Sequence, residues 1–388
     1  MVPLRIGHVI TRLDPGGSTE NTLLTAAAFG PPEFESWVIH GPSQAGPAEV
    51  AGAWGNGQTV RLAEVPALRR DVAPLNDACA LLALCQLMRR GRFDIVHTHT
   101  SKAGFLGRLA ARLARVPRIL HTPHGHVFHG YFGPAATRTV IALERWAARY
   151  TERIITLTDA EAAQHLAQGV GSLGQFLTIP SGVDLARVRE AADRAPRVRC
   201  ELGLGIGTPL IGAVSRLAPV KGIAHLVAAM PDILRQCPSA HLLLAGDGEE
   251  RAALEAQATT LGAASRIHFL GFRRDVEAVI AGLDVFVLPS LNEGMGRVLV
   301  AAMGLGVPVV ATRVGGVPDV VEDGRQGLLV PPADPAALTK AVAALLGDAP
   351  RAAAMGAAGR ARASLFSLEV MLDRLAALYR NDNRQMIQ

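Results

Sequence analysis

Short apolar runs recur along this chain, each ended by Gly, Pro, Ser or Asp, with helically spaced stretches between them. In the first half Leu4–Ile10 and residues 93–97, 118–121, 153–157 and 176–180 read as strands. In the second half 211–215, His241–Ala245, 267–269, Val285–Leu288, 307–311 and 328–330 do so. Runs that are apolar throughout, rather than alternating, suit strands covered on both faces, and strands separated by helices build parallel sheets. Two segments half a chain apart look alike: Ile6-Gly7-His8-Val9 running to Arg12-Leu13-Asp14-Pro15, and Ile211-Gly212-Ala213-Val214 running to Arg216-Leu217-Ala218-Pro219. Each reads as a first strand and a ligand loop. The chain is therefore expected to be α/β, with two Rossmann-like domains opening onto a central cleft. The first should cover residues 1–185 and the second 186–364, with the crossing at 181–184 and a charged linker helix over 187–199. Asp334-Pro335 supplies an N-cap and a proline at N1 for a further helix.

Composition narrows the picture. At 388 residues there is room for two cores of ordinary size. Hydrophobic residues make up 49%, yet no apolar run approaches the ~20 residues that span a bilayer. The uncharged run 298–312 is broken by Gly304, Gly306 and Pro308 and suits a buried helix and strand. The amino terminus reads as a first strand with no cleavage site behind it, and Cys79, Cys85, Cys200 and Cys237 have no metal spacing; a reduced cytoplasmic setting is expected. Net charge is only +5. Residues 89–118 are locally basic, with Arg89, Arg90, Arg92, Lys102, Arg108, Arg112, Arg115 and Arg118 against Asp94 alone. Arg108, Arg112 and Arg115 would share a helix face, which is either solvated or docks anionic lipid headgroups or a lipid-diphosphate acceptor at the inner membrane face. No aromatics are interleaved with these residues and no nucleic-acid motif is present, so nucleic acid is not an expected partner.

The chemistry concentrates in residues 284–330. Val285–Leu288 is stopped by Pro289 and Ser290, and Gly294-Met295-Gly296 lets backbone N–H groups approach a ligand before a helix over 297–303. Gly315-Gly316 forms another permissive loop ahead of Pro318. Two helix N-termini side by side would hold a phosphate. Glu293, an acid at the mouth of an anion site, must have another task, and binding sugar hydroxyls is the obvious one.

This stretch resembles the carboxy-terminal half of the family-4 retaining glycosyltransferases of the GT-B fold, whose signature holds two glutamates separated by seven residues. Glu293, Gly294, Gly296, Ala302, Met303, Gly306, Pro308, Val309, Val310, Ala311 and Thr312 fit it, while Ala301 stands where the second glutamate would be. The likeness continues through Pro15-Gly16-Gly17, His121-Thr122-Pro123-His124-Gly125, Ser215-Arg216-Leu217 with Lys221-Gly222, and Ala245-Gly246-Asp247-Gly248. Six motifs in the right order make a specific signal. The stretch His97-Thr98-His99-Thr100-Ser101-Lys102-Ala103-Gly104 looks most like transferases that build bacterial capsule, exopolysaccharide or other surface glycans.

The resemblance implies transfer of a hexose or N-acetylhexosamine, with retention, from a nucleotide-diphosphate sugar (a UDP-sugar expected) to a glycan or lipid-linked acceptor. It also implies a last helix, within 365–388, that packs back on the first domain. No Asp-x-Asp metal motif occurs, so Arg216 and Lys221 would neutralise the departing diphosphate, arginine as a bidentate fork and lysine as a point charge; neither metal nor cofactor is expected. His124 and Glu293 would contact the donor sugar near the reacting carbon. Gly16 and Gly17 would close over the diphosphate. Gly248, Gly294, Met295, Gly296, Arg297, Val298 and Ala301 would complete the donor site, Arg297 helping to neutralise phosphate, and the base would meet the loop with Phe272 and Arg273.

In relatives the second glutamate holds the ribose. Eight residues at ~100° each would set position 301 ~80° around a helix from Glu293. Asp14, His97, His99 and Lys102 are acceptor-side candidates, His97 and His99 being equally readable as satisfied interior groups. Six histidines fall between His97 and His129, but they would come from different strand ends with no Cys or carboxylate framework for zinc. Two rivals remain: an isomerase resembling the nucleotide-sugar 2-epimerases, and a non-catalytic nucleotide-sugar-binding homologue, prompted by Ala301.

Overall fold

The computed structural model of the chain describes residues 2–14, 16–43, 60–125 and 133–381, with 193–196 described through their backbone alone. It divides into two compact units, Met1–Ser181 with Met371–Gln388, and Gly182–Val370. The division thus falls at 181/182 rather than 185, and the returning segment begins at 371 rather than 365. Local packing explains the shift. Val183 bridges to Ser367, and Leu185 and Val188 lie against Gly304, all within the second unit.

The first unit holds β1 (Leu4–Ile10), β2 (Phe34–His40), β3 (Arg61–Glu64), β4 (Ile95–His99), β5 (Arg118–Thr122), β6 (Arg153–Thr156) and β7 (Phe176–Thr178). They pair in parallel in the order β3-β2-β1-β4-β5-β6-β7. The second holds β8 (Leu210–Val214), β9 (His241–Ala245), β10 (Ile267–Gly271), β11 (Val285–Leu288), β12 (Val309–Thr312) and β13 (Gly327–Val330), parallel in the order β10-β9-β8-β11-β12-β13. Both are doubly wound Rossmann-like sheets. The strand order reverses at β1/β4 and at β8/β11, and in such sheets ligands bind beyond the carboxyl ends of the strands at that point.

The sequence pattern missed β2 and β3. Phe34–His40 interleaves Glu35 and Ser36 with its apolar residues, and Arg61–Glu64 is a short edge strand with both ends exposed, so neither shows a continuous apolar run. The strand expected at 307–311 starts two residues later. Gly306 ends the preceding helix in the left-handed conformation and the Val307 amide bonds back to Ala302. Ile211, Leu242, Leu244, Val285, Val287 and Val310 form the second core, and Val9, Ile39, Val96 and Ile119 the first.

The basic helix is corrected in one respect. Arg108, in the helix Ser101–Ala114, does not face outward with Arg112 and Arg115. It is fully buried, pairing with Glu144 at 2.6 Å and donating from Nε to the Gly104 carbonyl at 2.8 Å. Arg115 follows the end of that helix in a left-handed conformation. The exposed basic group shrinks to Arg89, Arg90, Arg92, Arg112 and Arg115 beside half-exposed Leu113. Among the described residues no helix is long and apolar enough to cross a membrane.

Candidate functional site

In the second unit the predicted residues gather at the β8/β11 switch point. The chain leaves β8 through Ser215 and Arg216 and makes one 3₁₀ turn, Pro219–Lys221, before the helix Ile223–Gln236. Beside it the chain leaves β11 through Pro289 and Ser290. The two loops are stitched together: the Leu291 amide donates to the Val220 carbonyl, and a Cβ on Gly222 would sit 2.2 Å from the Pro289 carbonyl oxygen. This brings the Lys221 ammonium to 2.7 Å from the Glu293 carboxylate, which also accepts from the Ser290 hydroxyl at 3.1 Å. Two groups expected to serve phosphate and sugar separately thus hold each other. The Arg216 guanidinium is exposed and makes no ion pair among the described residues.

The glycines of this site are needed by the fold as well as by any ligand. Gly315 has φ +51°, and a Cβ there would lie 1.9 Å from the Glu293 carbonyl oxygen, which also accepts from the Gly316 amide at 3.1 Å. A Cβ on Gly248 would lie 2.3 Å from the Leu217 carbonyl oxygen. Gly296, at φ +78°, starts the helix Arg297–Leu305, whereas the second helix, Val317–Val320, is one turn only. Residues 293–296 therefore form a loop, and the helical count from Glu293 to Ala301 does not apply. Ala301 itself is 7% exposed. Met295 is buried and Val298 half-buried.

Two predicted site residues, and the acid Glu322, are engaged within the second unit. Arg297 donates to the Gly182 carbonyl at 3.0 Å. Arg273 is clamped by Asp275 and Glu201, hydrogen bonds that hold its pKa above the usual arginine range, while the neighbouring Phe272 ring is 63% exposed. Glu322, a possible substitute for the missing ribose acid, is ion-paired with Arg325 and Arg362.

In the first unit Gly16 and Gly17 open the helix Gly17–Ala28 after β1, and a Cβ on Gly16 would meet only the Asp14 carbonyl oxygen, at 4.0 Å, among the described residues; Pro15 lies outside the described residues. Asp14 pairs with Arg12 at 3.0 Å. Lys102 pairs with Asp77 at 2.6 Å. His97 and His99 are 2% and 1% exposed, so neither lines a surface. His97 bonds Tyr379 Oη at 2.8 Å and Thr122 Oγ1 at 2.7 Å. His99 Nδ1 lies 2.9 Å from His124 Nε2, and its Nε2 lies 3.2 Å from His8 Nδ1.

His124 itself is half-buried, with φ +59°, and its loop is tied down by Glu161, whose carboxylate accepts from the Gly125 amide at 2.8 Å and the Leu157 amide at 2.7 Å. Burial raises Glu161 to about 7. Burial lowers His8 to about 3 and holds His97 and His99 well below the usual range, so these rings are neutral near pH 7. His8, His97 and His99 offer nitrogens within 4.8 Å of one another. A metal there would displace one of the two hydrogen bonds of His97 and would find no acidic ligand among the three. His126 and His129 lie outside the described residues.

Ser290, His8 and Glu161 were missed by sequence reasoning. Only His8 left a trace: it stands in β1, directly in register with His97 of β4, which becomes visible once the strand order is known.

Two doubly wound sheets, each with candidate site residues at its switch point, define a two-domain α/β protein of Rossmann-like architecture. Residues 208–348 match the family model described as glycosyl transferases group 1, and residues 16–182 match the glycosyl transferase 4-like domain. The chain is 32% identical over 275 residues to UDP-Gal:alpha-D-GlcNAc-diphosphoundecaprenol alpha-1,3-galactosyltransferase of Escherichia coli, covering 70% of this chain and 71% of that one. It is 35% identical over 264 residues to GDP-mannose-dependent alpha-(1-6)-phosphatidylinositol monomannoside mannosyltransferase of Mycolicibacterium smegmatis, covering 66% and 67%. Among solved structures it resembles HepE of Anabaena in complex with UDP-glucose, with TM-score 0.83 and 24% identity over 97% of this chain and 100% of that chain. The chain belongs to the family-4 glycosyltransferases of the GT-B fold, and it is a glycosyltransferase.

Proposed function

We propose that the protein moves a hexose or N-acetylhexosamine from a UDP-sugar to a glycan or lipid-linked acceptor, with retention and without a metal. The observation that carries this reading is the Lys221–Glu293 pair at the β8/β11 switch point, with exposed Arg216 on the same loop as Lys221. Lys221 and Arg216 take the diphosphate, Glu293 the sugar hydroxyls, and His124 the sugar near the reacting carbon. The leaving diphosphate helps to deprotonate the acceptor. Support for UDP comes from the galactosyltransferase relative and from HepE, whereas the mannosyltransferase relative uses GDP-mannose. A thermal-shift screen of UDP-, GDP- and TDP-sugars decides the base, because a ligand at 100 times its Kd stabilises by ~2.7 kcal/mol. Stabilisation by UDP-sugars above the others is expected, and selective stabilisation by GDP-sugars overturns the assignment.

Ala301 is the test of the ribose pocket. Ala301→Glu is expected to tighten UDP and UDP-sugar alike by about ten-fold, since a charge-assisted hydrogen bond contributes ~1.5–3 kcal/mol. The gain should vanish for the 2′,3′-dideoxy nucleotide. Glu322, held by two arginines, is a poor occupant of the same place. Calorimetry showing unchanged or looser binding rejects this picture.

The exposed basic group of the first unit docks on anionic lipid at the inner membrane face, bringing a lipid-linked acceptor within reach. The protein is then expected to sediment with anionic vesicles and not with neutral ones, to be released by salt, and to lose the interaction in Arg112→Glu/Arg115→Glu. Equal partitioning to both vesicle types, or to neither, leaves only a solvated face.

A further inference from the structure

The row His8–His99–His124 runs from the interior of the first sheet to the loop after β5. It begins on β1, crosses to β4 and ends at His124, linked by the 3.2 and 2.9 Å contacts described above. Adjacent rings stack as they pass, His8 on His99 with centroids 5.5 Å apart and His99 on His124 at 5.1 Å. Each neutral imidazole carries one N–H and one bare nitrogen, so choosing the proton position on one ring dictates it along the row. The far end makes that choice. His8 Nε2 is buried and has no hydrogen-bond partner among the described residues. A buried donor left unmade is the rarer outcome in proteins, so this nitrogen is the bare one. His8 Nδ1–H then donates to His99 Nε2, and His99 Nδ1–H donates to His124 Nε2. His97 and Tyr379, the other titratable groups beside His8, bond each other and do not compete for the row.

We propose that this row sets the tautomer of His124, keeping its proton on Nδ1 so that the ring presents an N–H donor on the side away from His99, and that His99 is the positioning residue through which this is done. The functional weight of the proposal rests on the reading of His124 as a sugar contact. A hydroxyl or developing oxyanion of the donor would accept from Nδ1–H, while Glu161, gripping the Gly125 amide, fixes where the loop carries the ring. The arrangement parallels metal-site histidines, whose second nitrogen is held by an outer partner that fixes tautomer and orientation.

The experiment is two-bond ¹H–¹⁵N correlation NMR of the full chain labelled at histidine, with transfer assayed on the same samples. The wild type is expected to show His124 with protonated Nδ1 and bare Nε2. His99→Phe should release it into a tautomer mixture and lower kcat by about ten- to a hundred-fold with little change in donor KM. His99→Asn, whose amide N–H occupies the place of Nδ1–H, should restore the single tautomer and most of the rate. His8→Phe, which touches His99 but not His124, should still blur the His124 tautomer, an effect that loss of packing around His99 does not predict. A wild-type His124 protonated on Nε2, or a His124 signal indifferent to both Phe variants, overturns the proposal. His124→Ala is the separate test of the underlying reading. Undiminished transfer by that variant rejects the sugar contact, whereas the NMR result judges the row.

Discussion

Lys221→Ala and Arg216→Ala are each expected to lower kcat/KM at least ~10²-fold, while EDTA leaves the wild-type rate intact. Charge that builds on a departing diphosphate must meet positive charge already in place, and with no Asp-x-Asp triplet these two side chains are the ones at the switch point. Lys221 is pre-positioned because Glu293 holds it at 2.7 Å, so removing it also strips Glu293 of its cation. Two further variants separate these effects. Lys221→Arg keeps the charge and should retain a measurable rate. Glu293→Gln keeps the Ser290 hydrogen bond but releases Lys221, so UDP should bind as tightly or more tightly while kcat collapses. Full loss of activity in EDTA, restored by Mg²⁺ or Mn²⁺, contradicts the metal-free mechanism, and near-normal activity of Lys221→Ala contradicts the role of the lysine.

The second large effect is on stability. Glu144→Ala strands the Arg108 guanidinium, 0% exposed, leaving it only the Gly104 carbonyl among the described residues, with Nη1 already unpartnered there. Breaking a buried pair from one side costs ~3–5 kcal/mol, because the charge left behind stays buried and uncompensated. Removing both ends with apolar residues of similar volume, Arg108→Met with Glu144→Leu, should recover most of the loss. The probe is at hand: Trp37, Trp54 and Trp146 all fall within Met1–Ser181, so tryptophan fluorescence during urea unfolding reports the first unit by itself. An unchanged midpoint for Glu144→Ala, or a double variant no better than the single, refutes the account.

Arg108 also marks what sequence could and could not reveal. Spacing put it on one helix face with Arg112 and Arg115, but spacing alone does not say whether a face meets solvent or another helix; the partner, Glu144, is 36 residues away. The doubly wound fold was legible because its central strands are covered on both faces and so are apolar throughout. The inner strand β2 interleaves Glu35 and Ser36 with its apolar residues and β3 is a short edge strand, so both stayed hidden. Among site residues, the loops that carry Arg216, Lys221, Glu293 and His124 were marked by local glycine patterns and by family likeness. Their interactions were not, since Lys221 meets Glu293 and His99 meets His8 only after strands distant in sequence become neighbours. The partners of long side chains stayed hidden for a related reason. Arg297, Arg273 and Lys102 read as ligand groups in a linear chain, yet each finds a carbonyl or a carboxylate within its own unit.

The helix Leu368–Arg380 has a consequence for how the protein is made. Tyr379 closes over His97, and Arg118 grips the carbonyls of Leu378 and Tyr379, so the first unit contains residues synthesised about 190 positions after Ser181. A nascent chain emerging in order can finish the second unit while the first still lacks a wall over its histidines. The half that begins at the amino terminus is therefore the half completed last, and a ribosome stalled after residue 370 would leave the β4 histidines without the cover that keeps them neutral.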